Sequence, residues 1–354
     1  MSTPLSSRPY GNLPDGRPVT AHTLVGAGGL ALEVLDYGGI VTRLLAPDRA
    51  GRLEDLVLGF SSLTPYLARH PYFGAITGRV AGRIPGAHFT LDGQLHELAA
   101  NDGPHHIHGG LQGFDRRLWS ATATLRPDGS PALRLAYRSP HGEEGYPGNA
   151  DVVVTYCVTN DNAFVIEAEA ASDRATPLNL THHSYFNLAG EDAGGIGDHE
   201  LQLLSISAYA PTDEKLIFLG RREALLESNA FTRPRRLAEA IPGLFKAHGD
   251  VYFVERPAAS GPSPVTVARV SHPASGRVLT LSTTEDCLQF YTGCHLDGTC
   301  TGKSGRAYGK HAGFCLECQG FTGALTAPSL GDIILRPGQT RRHTTVYRFS
   351  NDAS

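Results

Sequence analysis

Apolar and polar residues alternate singly along much of this chain. LALEVLDYGGIVTRLLAP at 30–47, PALRLAYRS at 131–139 and RVLTLSTTEDCLQFYTG at 277–293 keep a period of two and are rich in Val, Leu, Thr and Tyr. DVVVTYCVTNDNAFVIEAEA at 151–170 reads as two strands around a turn at Asn160, Asp161 and Asn162. Helical spacing is confined to REALLESNA at 222–230 and RRLAEAI at 235–241, both brief. With 41 glycines and 23 prolines as punctuation, the strands must be many and short. No repeat of fixed period occurs, and AASGPSP at 258–264 is the one modest linker-like stretch. The expectation is an all-β protein, one large β-sandwich with very little helix. It is read as a single domain over 1–354, with 1–9 and 350–354 as poorly ordered tails.

Alternation also says which side chains travel together. In NLTHHSYFNL, Leu180, His182, Ser184 and Phe186 share one face, and Thr181, His183, Tyr185 and Asn187 share the other. In GFCLECQ, Phe314, Leu316 and Cys318 oppose Cys315, Glu317 and Gln319; in CLQFYTG, Gln289 and Tyr291 oppose Leu288 and Phe290. Such a polar face ordinarily meets solvent in a sandwich, although a hydroxyl-rich ligand needs one too. Glu317 and His183 stand out on these faces. A base and an acid delivered by separate strands can work on one small molecule from two sides, as reversible ring opening of a sugar requires.

Composition narrows the alternatives. A formal charge of −4 gives no reason to expect nucleic acid or an anionic membrane as partner. No apolar run approaches the ~20 residues of a membrane span, and MSTPLSSRPYGNLPDG lacks the features of a signal peptide, so the expected compartment is the cytoplasm. The six cysteines form no regular framework. Cys315 and Cys318 make a CxxC, but a structural zinc site needs further closely spaced ligands, and the pair reads as ordinary strand cysteines. His105, His106 and His108 cluster in NDGPHHIHGG, yet the glutamate that usually completes an HxH metal site is missing; no metal is expected. The double glycine after His108 suits a tight turn open to a ligand. TGKSG near Lys303 resembles a phosphate loop without its first glycine or its strand-to-helix flanks.

Taken in order, YGGIVTRLLAPDRAG, GRVAGRI, NDGPHHIHGGLQGFDRRLW, NLTHHSYFNLAG, PTDEKLI, QFYTGCHLDG and KHAGFCLECQ resemble the aldose 1-epimerase (galactose mutarotase) family, over about Tyr10 to Arg348. The resemblance implies a supersandwich without metal or organic cofactor, an isomerase acting on a free sugar, and a monomer or homodimer. It makes Glu317 the general base and His183 the general acid. Arg83, His108, Asp250 and Gln289 become sugar contacts, with His182, Tyr185 and Gly82 in a second layer behind them or as determinants of specificity. Reference pKa values of ~4.3 and ~6.5 would let an ionised Glu317 and a protonated His183 coexist near neutrality, and Asp250 is the carboxylate expected to raise His183 further.

Departures from the family pattern bear on the sugar. Gly82 and His182 each stand where relatives commonly have asparagine, TGCHLDG replaces TGNFLDG at Cys294 and His295, and QGFTGA lacks a proline and an aspartate around Thr322 and Gly323. A changed hydroxyl preference is expected. The alternatives are an epimerase of the same fold acting on a pentose, uronate, ketose or sugar phosphate, a non-catalytic sugar-binding protein, or a metal-dependent enzyme using His106 and His108.

Overall fold

The alternating segments form strands, as described for residues 3–257 and 260–352 by a computed structural model. A nine-stranded antiparallel sheet runs in the order Ser120–Leu125, Pro131–Ser139, Ala150–Val158, Ala163–Ser172, Thr340–Asn351, Arg277–Thr283, Val265–His272, Glu200–Leu203 and Arg235–Arg236. A five-stranded sheet consists of Glu223–Ala224, Ile206–Ala210, Val251–Val254, Cys287–Tyr291 and Cys315–Gln319, in that order. A second five-stranded meander, Leu5–Asn12 to Leu53–Asp55, and four two-stranded sheets make up the rest of the strands among the described residues. Leu133, Val152, Phe164 and Leu279 of the large sheet belong to one buried cluster with Leu288, Phe290 and Leu316 of the first five-stranded sheet. Each such side chain contributes about 1.5–3 kcal/mol by leaving water. The fold is an all-β sandwich, as the period of two predicts.

Three expectations need correction. REALLESNA is not helical: Glu223–Ala224 is an edge strand on Ile206–Ala210, and the buried Asn229 accepts the Leu226 N–H in a turn. RRLAEAI starts as the strand Arg235–Arg236 and becomes helical only over Leu237–Ala240, while Leu63–Leu67 is a helix that the pattern did not reveal. The supposed tails are largely strand. Residues 5–9 pair with Pro18–Val25, and Ser350 and Asn351 pair with Val278 and Arg277. Ladder hydrogen bonds order these segments although their side chains are mostly polar and outward-facing, so hydropathy alone missed them. Residues 1–2, 353–354 and the linker's Ala258 and Ala259 lie outside the described residues. No helix among the described residues is long and apolar enough to cross a membrane.

The lysine of TGKSG has a structural task. Lys303 Nζ donates to Asp55 Oδ2 at 2.7 Å, to Thr42 O at 2.8 Å and to Val57 O at 2.7 Å, and its side chain is 10% exposed. Three acceptors satisfy three ammonium protons and pin the loop after Tyr291 onto the N-terminal meander. Removing one partner of a buried pair strands the other. Lys303→Met should therefore lower stability by about 3–5 kcal/mol in equilibrium urea unfolding. A loss within experimental error of zero would mean that Arg43, already 3.4 Å from Asp55 Oδ2, suffices as its cation.

Candidate active site

Register within the strand pair Cys287–Tyr291 and Cys315–Gln319 builds the floor of the site. Gln289 lies opposite Glu317, and Tyr291 lies opposite Cys315. Leu288, Phe290 and Leu316 point into the core, while Gln289, Tyr291, Glu317 and Gln319 line a cavity of about 370 Å³. His183 arrives from a third segment. The strand Thr181–His182 pairs with Ile76–Thr77, and just beyond it the His183 N–H donates to Ala75 O at 2.9 Å while its carbonyl accepts the Gly74 N–H at 3.0 Å. The ring enters the cavity, 4% exposed, with Nε2 3.7 Å from Glu317 Oε2.

His108 completes the group. One ligand-capable atom each from His108, His183 and Glu317 lies within 4.8 Å of the others. His108 sits at φ 52° on its turn, and Gly109 follows at φ 91°, where a Cβ would lie 1.7 Å from Gly78 O. Only glycine fits there, which accounts for the first glycine of HGG.

Burial dominates the electrostatics of these three groups. It pushes Glu317 up to about 8, against the nearby Arg83 cation, which pulls it down. It also lowers His183 to about 4, and carries His108 well below its ordinary value. The expected pairing of an ionised glutamate with an imidazolium is thus reversed: at neutral pH the shared proton favours the carboxyl. Burial among protein atoms disfavours the charged form of each group.

Arg83 lines the cavity and donates from Nε to Asp102 Oδ2 at 2.7 Å; Asp102 is itself a lining residue that sequence reasoning missed. Gln289 also lines it, its amide donating to Asp250 O at 3.1 Å and Phe290 O at 2.6 Å. Tyr185 lies against His183 with ring centroids 5.1 Å apart. Tyr72, held at φ 58°, also stacks on the His183 ring, with centroids 5.9 Å apart, and nothing in the hydrophobic pattern marked it.

One expected contact, Asp250, and one residue expected behind the contacts or setting specificity, His182, lie away from the cavity. His182 faces the core against Tyr156 and Phe164, its Nε2 2.7 Å from Ser184 Oγ, so the adjacent histidines point to opposite faces. Asp250 is not among the residues lining the cavity; its carboxylate accepts Asn229 Nδ2–H at 3.1 Å. Gly249, at φ 99° and packed on Phe290 O, breaks the alternation. His248 consequently enters the cavity, 4.7 Å from the Tyr291 ring, and Asp250 does not adjoin His183. His295 packs beside His248 at 5.5 Å, so the departure at that position reaches the cavity wall.

The cluster of two histidines and a carboxylate is close enough to suggest a cation site, but its hydrogen bonds argue for a different ligand. The Gly82 N–H donates to His108 Nδ1 at 3.2 Å, which places the proton of the neutral ring on Nε2. Nε2 then offers a hydrogen to an oxygen instead of a lone pair to a metal. His106, the other half of the HxH, is buried with Nδ1 on Ala99 O and Nε2 on Tyr146 OH, both at 2.8 Å. Cys315 and Cys318 fall on opposite faces of one strand and cannot chelate together.

Residues 21–348 match the aldose 1-epimerase family model. Galactose mutarotase from Sus scrofa is 41% identical over 341 residues, 96% of this chain and 97% of the relative; the Homo sapiens protein is 40% identical over similar shares. Aldose 1-epimerase from Escherichia coli K12 is 30% identical, covering 95% and 96%. The chain belongs to the aldose 1-epimerase family. A crystal structure of an aldose epimerase homologue from C. elegans superposes with a TM-score of 0.85 at 26% identity, over 94% of this chain and 98% of that one. The relatives at 40% identity place this chain among enzymes of the isomerase class.

Within this aldose 1-epimerase, the glycine at position 82 has a steric cause. A Cβ on Gly82 would lie 2.6 Å from Thr322 Oγ1, and that hydroxyl is fixed by donating to Ala81 O and accepting from Asn179 Nδ2. Thr322 therefore occupies the space that a side chain at 82 would need, linking two departures from the family pattern. Gly82→Asn alone should lower Tm by several degrees, about 1–3 kcal/mol of overpacking. Combined with Thr322→Ala it should recover most of that loss, because the two changes are coupled. Simple additivity in thermal unfolding would contradict the shared volume.

Proposed function

We propose that the protein interconverts the α and β anomers of a free aldose through acid/base ring opening, with Glu317 and His183 as the proton-transferring pair. The single observation that carries this reading is the convergence of the two buried groups, 3.7 Å apart, at the end of one polar cavity. Ring opening needs a proton removed from the hydroxyl on carbon 1 and another delivered to the ring oxygen. Both oxygens are bonded to the same carbon, so two groups this close can serve them together.

The proton count decides the order of events. With the cyclic sugar bound, Glu317 must be ionised and His183 protonated; Glu317 takes the hydroxyl proton as His183 gives one to the ring oxygen. The products are an open-chain aldehyde, a neutral carboxyl and a neutral imidazole. Burial favours that same neutral pair, so the surroundings ease proton transfer towards the open form. Rotation about the bond between carbons 1 and 2 exposes the other aldehyde face, and closure runs the transfers backwards. Arg83, beside Glu317, supports its ionised form at the start. His108, by donating from Nε2, and Gln289 would hold the sugar's other oxygens.

The six free cysteines, five of them buried, suit a reducing compartment, in keeping with a cytoplasmic enzyme. All the groups named come from one chain, so the chemistry needs no second subunit. The presence of His248 and His295 on the cavity wall favours a changed hydroxyl preference among aldoses.

Optical rotation of fresh α-D-glucose and α-D-galactose tests the reading directly. Glu317→Gln and His183→Gln should each slow the catalysed change ~100- to 10,000-fold. A wild type that leaves both sugars, and the common pentoses, at the spontaneous rate would overturn it. The active pair holds one proton in total. Below about 4 a second proton blocks the base, and above about 8 no proton remains for the acid. Between those limits kcat/KM should be flat, and it should fall on both sides. A fall centred near 6.5 would instead assign an unperturbed histidine.

A further inference from the structure

We propose that Asp102 is a sugar-binding residue that sets the preference among aldoses, accepting a hydroxyl remote from carbon 1 while it holds Arg83 in place. That the ligand is a sugar rests on the mutarotase reading above. Asp102 lines the same cavity as Glu317, and its Oδ2 accepts the Arg83 Nε–H at 2.7 Å. Its Oδ1 has no hydrogen-bond partner among the described residues. A carboxylate offers two oxygens, so one remains for a ligand after Arg83 has been served.

Depth along the cavity says which part of the sugar Asp102 meets. Its side chain is 36% exposed, that of Arg83 19% and that of Glu317 4%. The three therefore run from the mouth to the floor. Arg83 bears on the charge of Glu317, whereas Asp102 is absent from the groups that do. With carbon 1 held at Glu317 and His183, the Asp102 carboxylate lies towards the far hydroxyls of the ring.

An acceptor is needed there. Arg83 and His108 both present N–H groups, and Asp250, the carboxylate expected to accept, is not among the lining residues. Every sugar hydroxyl carries a hydrogen, and one left without an acceptor on leaving water weakens binding. A carboxylate beside a guanidinium sets acceptor and donor next to each other, so neighbouring hydroxyls can be gripped in both directions. The setting is rigid. Asp102 and His105 exchange backbone hydrogen bonds at 3.0 Å around Gly103, at φ 58°, and Pro104. The adjoining Asn101 grips the His108 turn, its Nδ2 donating to Ile107 O and Gly110 O at 2.9 Å. One loop thus carries two sugar contacts in a fixed relation.

Mutarotation kinetics of glucose and of derivatives lacking one hydroxyl each, at carbons 2, 3, 4 and 6, test this with wild type beside Asp102→Asn. Asparagine keeps an oxygen for Arg83 but turns an amide donor towards the sugar. KM for glucose should rise about tenfold with kcat little changed, because the lost bond is made equally in the ground and transition states. The wild type should discriminate about tenfold in kcat/KM against one derivative altered at carbon 3, 4 or 6. Asp102→Asn should treat that derivative and glucose alike, while its response to the change at carbon 2 stays as in the wild type. An unchanged KM, or a variant that weakens every sugar by the same factor, would overturn the proposal; the latter is what a purely structural role gives. Calorimetric titration with glucose, run on both proteins, separates the two readings. If glucose binds but is not turned over, the mutarotase reading fails and Kd decides the role of Asp102 in place of KM; if none of the sugars binds, both fail.

Discussion

Antiparallel pairing of Cys287–Tyr291 with Cys315–Gln319 holds a polar cavity wall and an apolar core surface back to back on the same backbone. Leu288, Phe290 and Leu316 are almost completely removed from water on one side, while Gln289, Tyr291 and Glu317 meet the cavity on the other. A slip of one residue would exchange the two faces, placing a carboxylate in the core and leucines in the cavity. The burial energy of the apolar face therefore also fixes the position of Glu317. Stability and site geometry share one constraint here, and the positive φ of Gly249 shows what happens where the alternation is broken: His248 turns into the cavity.

The same exclusion of water governs the chemistry. Glu317 and His183 are too deep to be solvated, so each is displaced towards its neutral form. A site exposed enough to hold both charges comfortably would favour the ion pair and gain nothing as the proton moves. Here the driving force comes from the walls, with Arg83 as a counterweight near the carboxylate. The neutral His108 ring, whose Nδ1 accepts the Gly82 N–H, offers its Nε2–H to oxygen, which suits a polyhydroxy ligand.

Most of the architecture was legible because strands facing a core on one side write a period of two, and that period also separated His183 from His182 correctly. Motif order identified Glu317, His183, Arg83, His108 and Gln289 as a set, and the structure brings all five to one cavity. What escaped had physical reasons. Asp250 was carried over from the family motif; it lies one residue before Val251, the partner of Gln289, so it falls on the opposite face from Gln289, while the positive φ of Gly249 turns only the preceding His248 into the cavity. Tyr72, Asp102 and His248 lie on irregular segments, where side-chain direction has no period to read. The buried protonation states were misjudged because reference pKa values assume water, and no local sequence signal reports its loss. The edges failed because polar strands at the margin of a sheet look like tails.

Strand Thr340–Asn351 lies in the middle of the nine-stranded sheet, between Ala163–Ser172 and Arg277–Thr283, although it follows both in the chain. During synthesis, no part of the protein before about residue 351 can close that sheet. Two halves with exposed strand edges must wait, unpaired, for the segment that joins them. The long-range pairings also make folding slow by their nature. A ribosome-associated chain of this protein consequently keeps two unpaired strand edges until very late, and any truncation within those twelve residues removes a central seam rather than a fringe.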